Sequence, residues 1–121
     1  MPTMSLKQVI LEILRKSDGE FDGKTRLYKA CYFAHLFFFE SHHGILSDAE
    51  FARMPQGPGI DQGDVILDRL REEGVIECEV FHRGPYPEYR YRLTEQGMAK
   101  LAALPPNADQ AIQRSVDFVR V

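Results

Sequence analysis

Between residues 61 and 104 the sequence switches from a helical period to a strand period and back, and that order leaves few folds open. The stretch reads DQGDVILDRLREEG, then VIECEVF, then HRGPYPE, then YRYRL, then TEQGMAKLAAL. In the first segment Val65, Ile66, Leu67 and Leu70 are expected to face inward, with Asp61 as N-cap and Gly74 as the stop. That leaves Gln62, Asp64, Asp68, Arg69, Arg71 and Glu72 in solvent. The middle segments alternate. Ile76, Cys78 and Val80 fall on one face, and Tyr89, Tyr91 and Leu93 on one face of the return run. Two alternating runs joined by a Gly/Pro turn predict an antiparallel hairpin. With the turn centred near Pro85 and Tyr86, Glu79 is expected opposite Arg92. Thr94 caps a closing helix whose apolar positions are Met98, Leu101 and Leu104.

The rest of the chain reads as helix. Leu6, Val9, Ile10, Ile13 and Leu14 recur at the spacing of one helical face, with Ser5 and Gln8 as a capping box. Ser17, Asp18 and Gly19 end that helix. A second helix is predicted over 24–40, beginning near Asp22. Leu27, Cys31, Ala34 and Phe38 form one stripe, and Tyr28, Tyr32, His35 and Phe39 the next. Leu36 and Phe37 extend the apolar coverage almost all round, which predicts a central helix. The surplus, and the Phe37–Phe39 patch in particular, offers a dimer surface as an alternative. Ser41, His42, His43 and Gly44 read as an exit loop. Ser47 with Glu50 predicts a short helix carrying Phe51 and Met54. Two prolines and two glycines at Pro55, Gly57, Pro58 and Gly59 predict an ordered turn before the next helix. Pro105 and Pro106 end the helix that Thr94 opens. A last helix over 109–119, with Ile112, Val116 and Val119 on one face, covers the core or joins a dimer.

The 121 residues, 44% hydrophobic and 27% charged, predict one globular domain spanning 1–121. No apolar run reaches the roughly 18 residues needed to span a bilayer. The N-terminus lacks the basic and apolar regions of a signal peptide. Cys31 and Cys78 sit in apolar contexts with no short spacing between them. A cytoplasmic setting with free thiols is the expectation.

Little in the sequence suggests catalysis. His35, His42, His43, His82, Cys31 and Cys78 have no metal-ligand spacing, so no metal and no cofactor are expected. No nucleophile elbow is present, and Pro58 removes a donor from the one glycine-rich turn, which no Lys-Ser/Thr follows. The expectation is a protein without enzymatic activity. Charge speaks to binding. The net charge is −3, and residues 61–79 carry seven acids against two bases. Phosphate contacts dominate nucleic-acid affinity, so an anion-binding surface on this chain has to be local. The candidates for one are Gln62, Arg69 and Arg71 on the helix and Arg83, Arg90 and Arg92 on the hairpin. Lys24, Arg26 and Lys29 form another basic cluster.

Helix, hairpin and helix in this order are similar to winged helix-turn-helix proteins, especially in LREEGVI and YRLTEQG. The fold expected is therefore α+β, mainly helical and winged-helix-like, with one two-stranded antiparallel hairpin. The segments LYKACYFAH (27–35), GILSDAEF (44–51) and PQGPG (55–59) resemble the Panacea domain, the antitoxin domain of the SocA type. Gln56 stands where that family usually has an aromatic. The resemblance implies a bacterial or phage-linked protein that acts by protein–protein contact, with a toxin as partner and regulatory DNA binding beside it. Its contact face is then expected at Gln56, Asp61, Asp64, Asp68 and Glu72, an acidic surface suited to a basic partner. The alternative is a dimeric winged-helix transcriptional regulator that uses the arginines. Whether Tyr32, His35 and Phe39 line a small-ligand pocket or simply pack is left open.

Overall fold

The computed structural model describes residues 2–42, 44–55 and 57–120. In chain order the elements are α1 (Leu6–Lys16), β1 (Glu20–Asp22), α2 (Lys24–His42), β2 (Phe51–Met54), β3 (Gly57–Ile60), α3 (Gly63–Glu72), β4 (Ile76–Phe81), β5 (Glu88–Leu93), α4 (Glu95–Ala99) and α5 (Pro106–Arg120). The architecture is α+β, with five helices and two small antiparallel sheets among the described residues. Among the same residues, no helix is long and apolar enough to cross a membrane.

The apolar stripe of α1 is buried from Leu6 to Leu14, and Ser5 Oγ accepts from Gln8 N at 3.2 Å, so the Ser5 half of the expected capping box forms, while the Gln8 side chain donates instead to Lys100 O at 3.1 Å. Asp18 and Gly19 take left-handed backbone and turn the chain into β1. In α2, Leu27, Ala30, Cys31, Ala34, Phe37 and Phe38 are buried. Its small residues let α5 lie close alongside, and α5 buries Ala108, Ala111, Ile112, Ser115 and Val116. The closing helix therefore covers the core. Phe37 is not on an open dimer patch: it packs against Phe33 and Phe118 under Arg114. Pro106 is the first residue of α5, where a missing N–H costs nothing.

Several expectations are corrected. Among the described residues there are two sheets, not one hairpin. β1 adds a third strand, giving the order β1-β5-β4, with Glu20 opposite Arg92 and Asp22 opposite Arg90. The short helix expected after Ser47 is instead β2, which pairs with β3 across the proline turn, Arg53 opposite Pro58 and Met54 opposite Gly57. A two-stranded ribbon tolerates Pro58 because an outward position needs no N–H, and Gly57 supplies a φ of +124°. Ser47 and Glu50 do not cap a helix there. Ser47 Oγ accepts from Ala49 N at 3.1 Å, and Asp48 Oδ1 accepts from the Leu6 backbone at the start of α1.

The β4–β5 hairpin forms with the faces expected, but its turn is centred between Gly84 and Pro85. Glu79 therefore lies opposite Arg90, and Arg92 lies opposite Glu77. α4 is shorter than its apolar pattern suggests. Thr94 caps it, but the helix ends at Ala99 and leaves Met98 exposed. Leu101 and Leu104 pack on the core from the irregular segment leading to α5. Asp61 does not cap α3. Its N–H is taken by Glu50 O at 2.7 Å, and Gln62, at φ +56°, is the N-cap without a side-chain bond. Leu67 and Leu70 are buried and Ile66 packs on the core, whereas Val65 is exposed.

Candidate protein-contact site

A groove of about 350 Å³ runs between the β2–β3 hairpin and the start of α3, with the first turns of α2 behind it. Met54, Pro58, Gly59 and Ile60 form one side, and Gln62, Gly63, Asp64 and Val65 the other. Met54 and Val65 are 45% and 46% exposed, unusual for large apolar residues on separate elements that border one groove. The proline turn and the acidic helix, expected to share a contact face, are thus neighbours in space.

Glycine is what makes the groove narrow. A Cβ on Gly63 would come within 2.6 Å of Tyr28 Oη, and one on Gly59 within 2.8 Å of Met54 Cγ. Tyr28 can therefore lie directly under the start of α3. Its hydroxyl donates to Asp64 Oδ1 at 3.0 Å, and Lys24 Nζ reaches the same oxygen at 3.0 Å. The Lys24 ammonium, with help from Tyr28, holds the Asp64 carboxyl below its usual range. Burial, and then the Asp64 carboxylate, push the Tyr28 phenol upward. Asp64 is consequently a tie between α3 and α2, its charge answered from within the chain. The sequence carried a signal for this in Lys24 and Tyr28, four residues apart on one helical face.

The remaining candidates on α3 differ. Asp61 and Glu72 are exposed with no ion-pair partner among the described residues, and Asp68 lies 3.6 Å from Arg71. Gln56 lies outside the described residues. Arg69 is exposed and borders a separate hollow with Asp48, Glu50 and Asp61.

The arginines expected to face phosphate are largely committed. Arg90 Nε sits 2.7 Å from Asp22 and 3.7 Å from Glu20. Arg92 lies 3.4 Å from Glu20, 3.5 Å from Glu79 and 4.0 Å from Glu77. The two guanidiniums form a ladder across all three strands, and four carboxylates outnumber them. Arg83 remains, stacked over Phe81 at 4.6 Å near the hairpin tip. Glu20 and Asp22 were missed as partners because β1 is too short to register as a strand pattern.

Two groups that could suggest chemistry are packed away. The Cys31 thiol is fully buried, and desolvation pushes it up to about 12, so it stays protonated at neutral pH. His35 is half-buried with both ring nitrogens bonded: Nδ1 to Cys31 O at 2.6 Å and Nε2 to Ser47 Oγ at 2.5 Å. Its ring also meets Phe51 edge-on, so this residue packs. Among the described residues, no group of three or more His, Cys, Asp or Glu is arranged to hold a metal ion. No family model matches the chain, and no curated protein or solved structure matches it either.

Proposed function

We propose that this chain is a non-catalytic binding module of the Panacea antitoxin kind, which acts by holding a protein partner in the groove between β2–β3 and α3. The observation that carries the reading is the pair Met54 and Val65, exposed on opposite sides of one groove, with Asp61 just before α3 and Asp68 along it both exposed. An apolar cleft beside exposed carboxylates on the same helix suits a segment that presents an apolar anchor flanked by lysine or arginine. Tyr28 behind the groove and Gly57, Pro58 and Gly59 on its hairpin side also fall inside the segments that carry the resemblance. The sealed His35–Ser47 pair, with Ser47 only 2% exposed, and the buried Cys31 support a role without catalysis.

The test is selection of a randomised peptide library on the immobilised protein. The expected result is enrichment of peptides with an apolar anchor flanked by basic residues. Their affinity should fall about tenfold or more when Val65→Glu or Met54→Glu charges the groove wall, with the thermal midpoint little changed. Enriched peptides that bind both variants as well as the parent would sink the reading. Asp61→Lys and Asp68→Lys are the informative charge reversals, since Asp64→Lys would also break the tie to Tyr28 and Lys24.

One observation favours a DNA-binding regulator instead. A strand order of β1-β5-β4, with α3 immediately before the hairpin, is compatible with a winged helix and supports this reading, as does Arg83, exposed at the hairpin tip. Binding of random duplex DNA that collapses between about 50 and 200 mM salt would move the conclusion to that reading.

A further inference from the structure

β4 is an edge strand, and the backbone bonding shows which of its groups are open. Leu93 N donates to Gly19 O, and Gly23 N donates to Tyr89 O, each at 2.7 Å, so the odd-numbered residues of β5 turn toward β1. Its even-numbered residues therefore turn toward β4, where Arg92, Arg90 and Glu88 pair with Glu77, Glu79 and Phe81. Thr94 N donating to Val75 O at 3.2 Å continues that alternation. Cys78 and Val80 are left with their N–H and C=O groups pointing away from the sheet, and among the described residues no strand pairs with that side.

The side chains along this edge are Glu77 and Glu79 on one face and Ile76, Cys78 and Val80 on the other, with Val80 exposed. Glu77 and Glu79 share Arg92 with Glu20, so the face keeps uncompensated negative charge. That charge argues against a second copy. Antiparallel self-pairing through the outward groups of β4 centres on Cys78 or on Glu79, which sets Glu77 opposite Glu79 twice or Glu79 opposite itself, and like charges directly opposite are destabilising. We infer that the outer edge of β4 takes up an extended segment of another protein as a fourth strand, one with lysine or arginine at alternate positions facing Glu77 and Glu79. Main-chain bonds to Cys78 and Val80 supply affinity, and the glutamates supply selectivity. The site is separate from the groove and stands without it.

The probe is the peptide Thr-Lys-Val-Lys-Val-Lys-Thr, with Thr-Glu-Val-Glu-Val-Glu-Thr as its counterpart, read by amide NMR on the full chain. In the free protein the Cys78 and Val80 amides should exchange rapidly, while those of Glu77 and Glu79 are protected by β5. The lysine peptide should shift and protect Cys78 and Val80, and the glutamate peptide should not. Val80→Pro removes one outward donor without touching the β5 ladder, and should weaken binding about three- to tenfold, the worth of one peptide hydrogen bond. A Cys78 amide already protected in the free protein would overturn the inference. So would the absence of shifts up to about 2 mM peptide, where even a millimolar complex is visible. Shifts confined to 54–65 would also overturn it, while supporting the groove as the protein-contact site.

Discussion

At the scale of single residues, His35 has its protonation state set by what surrounds it. Nδ1 faces the Cys31 carbonyl at 2.6 Å and must carry the proton, so Nε2 accepts from the Ser47 hydroxyl at 2.5 Å. Ser47 Oγ in turn accepts from Ala49 N at 3.1 Å, fixing the chain as it leaves α2 for β2. A second proton on the ring would make Nε2 a donor and force the buried Ser47 hydroxyl to turn its own hydrogen away from the ring. Burial lowers the His35 pKa, and the Cys31 bond and Asp48 only partly oppose this. The folded-state value therefore lies below the unfolded one, about 6.5. Above that pH both states are neutral and no stability is lost. Below it the unfolded chain takes up the proton first, and stability falls as pH drops, by at most about 1.4 kcal/mol per pH unit. Urea midpoints measured between about pH 7.5 and 5.5 should fall for the parent protein and stay flatter for His35→Gln. Parallel curves would show that the ring does not titrate with folding.

At the scale of elements, α4 shows why a pattern can be read correctly and still mislead. Glycine inside a helix normally costs about 1 kcal/mol relative to alanine, which would make Gly97 a defect. Its place in the packing reverses that: a Cβ there would lie 2.2 Å from Val75 O and 2.6 Å from Leu93 Cδ1, where the helix crosses the start of β4. Gly97→Ala should lower stability by about 2 kcal/mol or more, because backbone has to move to make room. Gly84→Ala, with nothing within 4 Å of the added carbon, should lie within about 0.5 kcal/mol of the parent. Equal midpoints for the two variants would refute that packing. α1, α2, α3 and the β4–β5 hairpin were legible because each repeats its period long enough to show one buried face. β1 is three residues, and β2 and β3 are four each around a proline turn, too short for a period and held by register with partners distant in sequence. Val65 misread for a related reason: periodicity marks it as inward, but the groove opens on that side of α3. Of the candidate site, the proline turn and the acids of α3 were visible in the sequence. The capture of Asp64 by Lys24 and Tyr28, and of Arg90 and Arg92 by β1, depends on pairings that no local pattern encodes.

At the scale of the whole molecule, the apolar surplus of α2 decides whether the chain closes on itself or needs a second copy. α5 answers that demand from within. Ala108, Ile112 and Val116 are completely buried, on one helical face, and Asp109 near the start of α5 is held by Lys16 and approached by Arg15 of α1. At the far end Phe118 rests on Phe33 at 4.8 Å but remains 58% exposed. The two ends should respond differently to truncation. Ile112→Ala removes a fully enclosed side chain and should cost about 2–4 kcal/mol, whereas Phe118→Ala should cost about 1 kcal/mol or less. If α5 instead buried its face against a second copy, the unfolding midpoint would rise with protein concentration, because association with the folded state adds stability by mass action. Denaturant melts at about 2 and 50 µM should therefore give the same midpoint for the parent and the same drop for Ile112→Ala, since an interface within one chain has no concentration term. A midpoint that climbs across that range, with the Ile112→Ala drop shrinking as it does, would assign the face of α5 to a dimer.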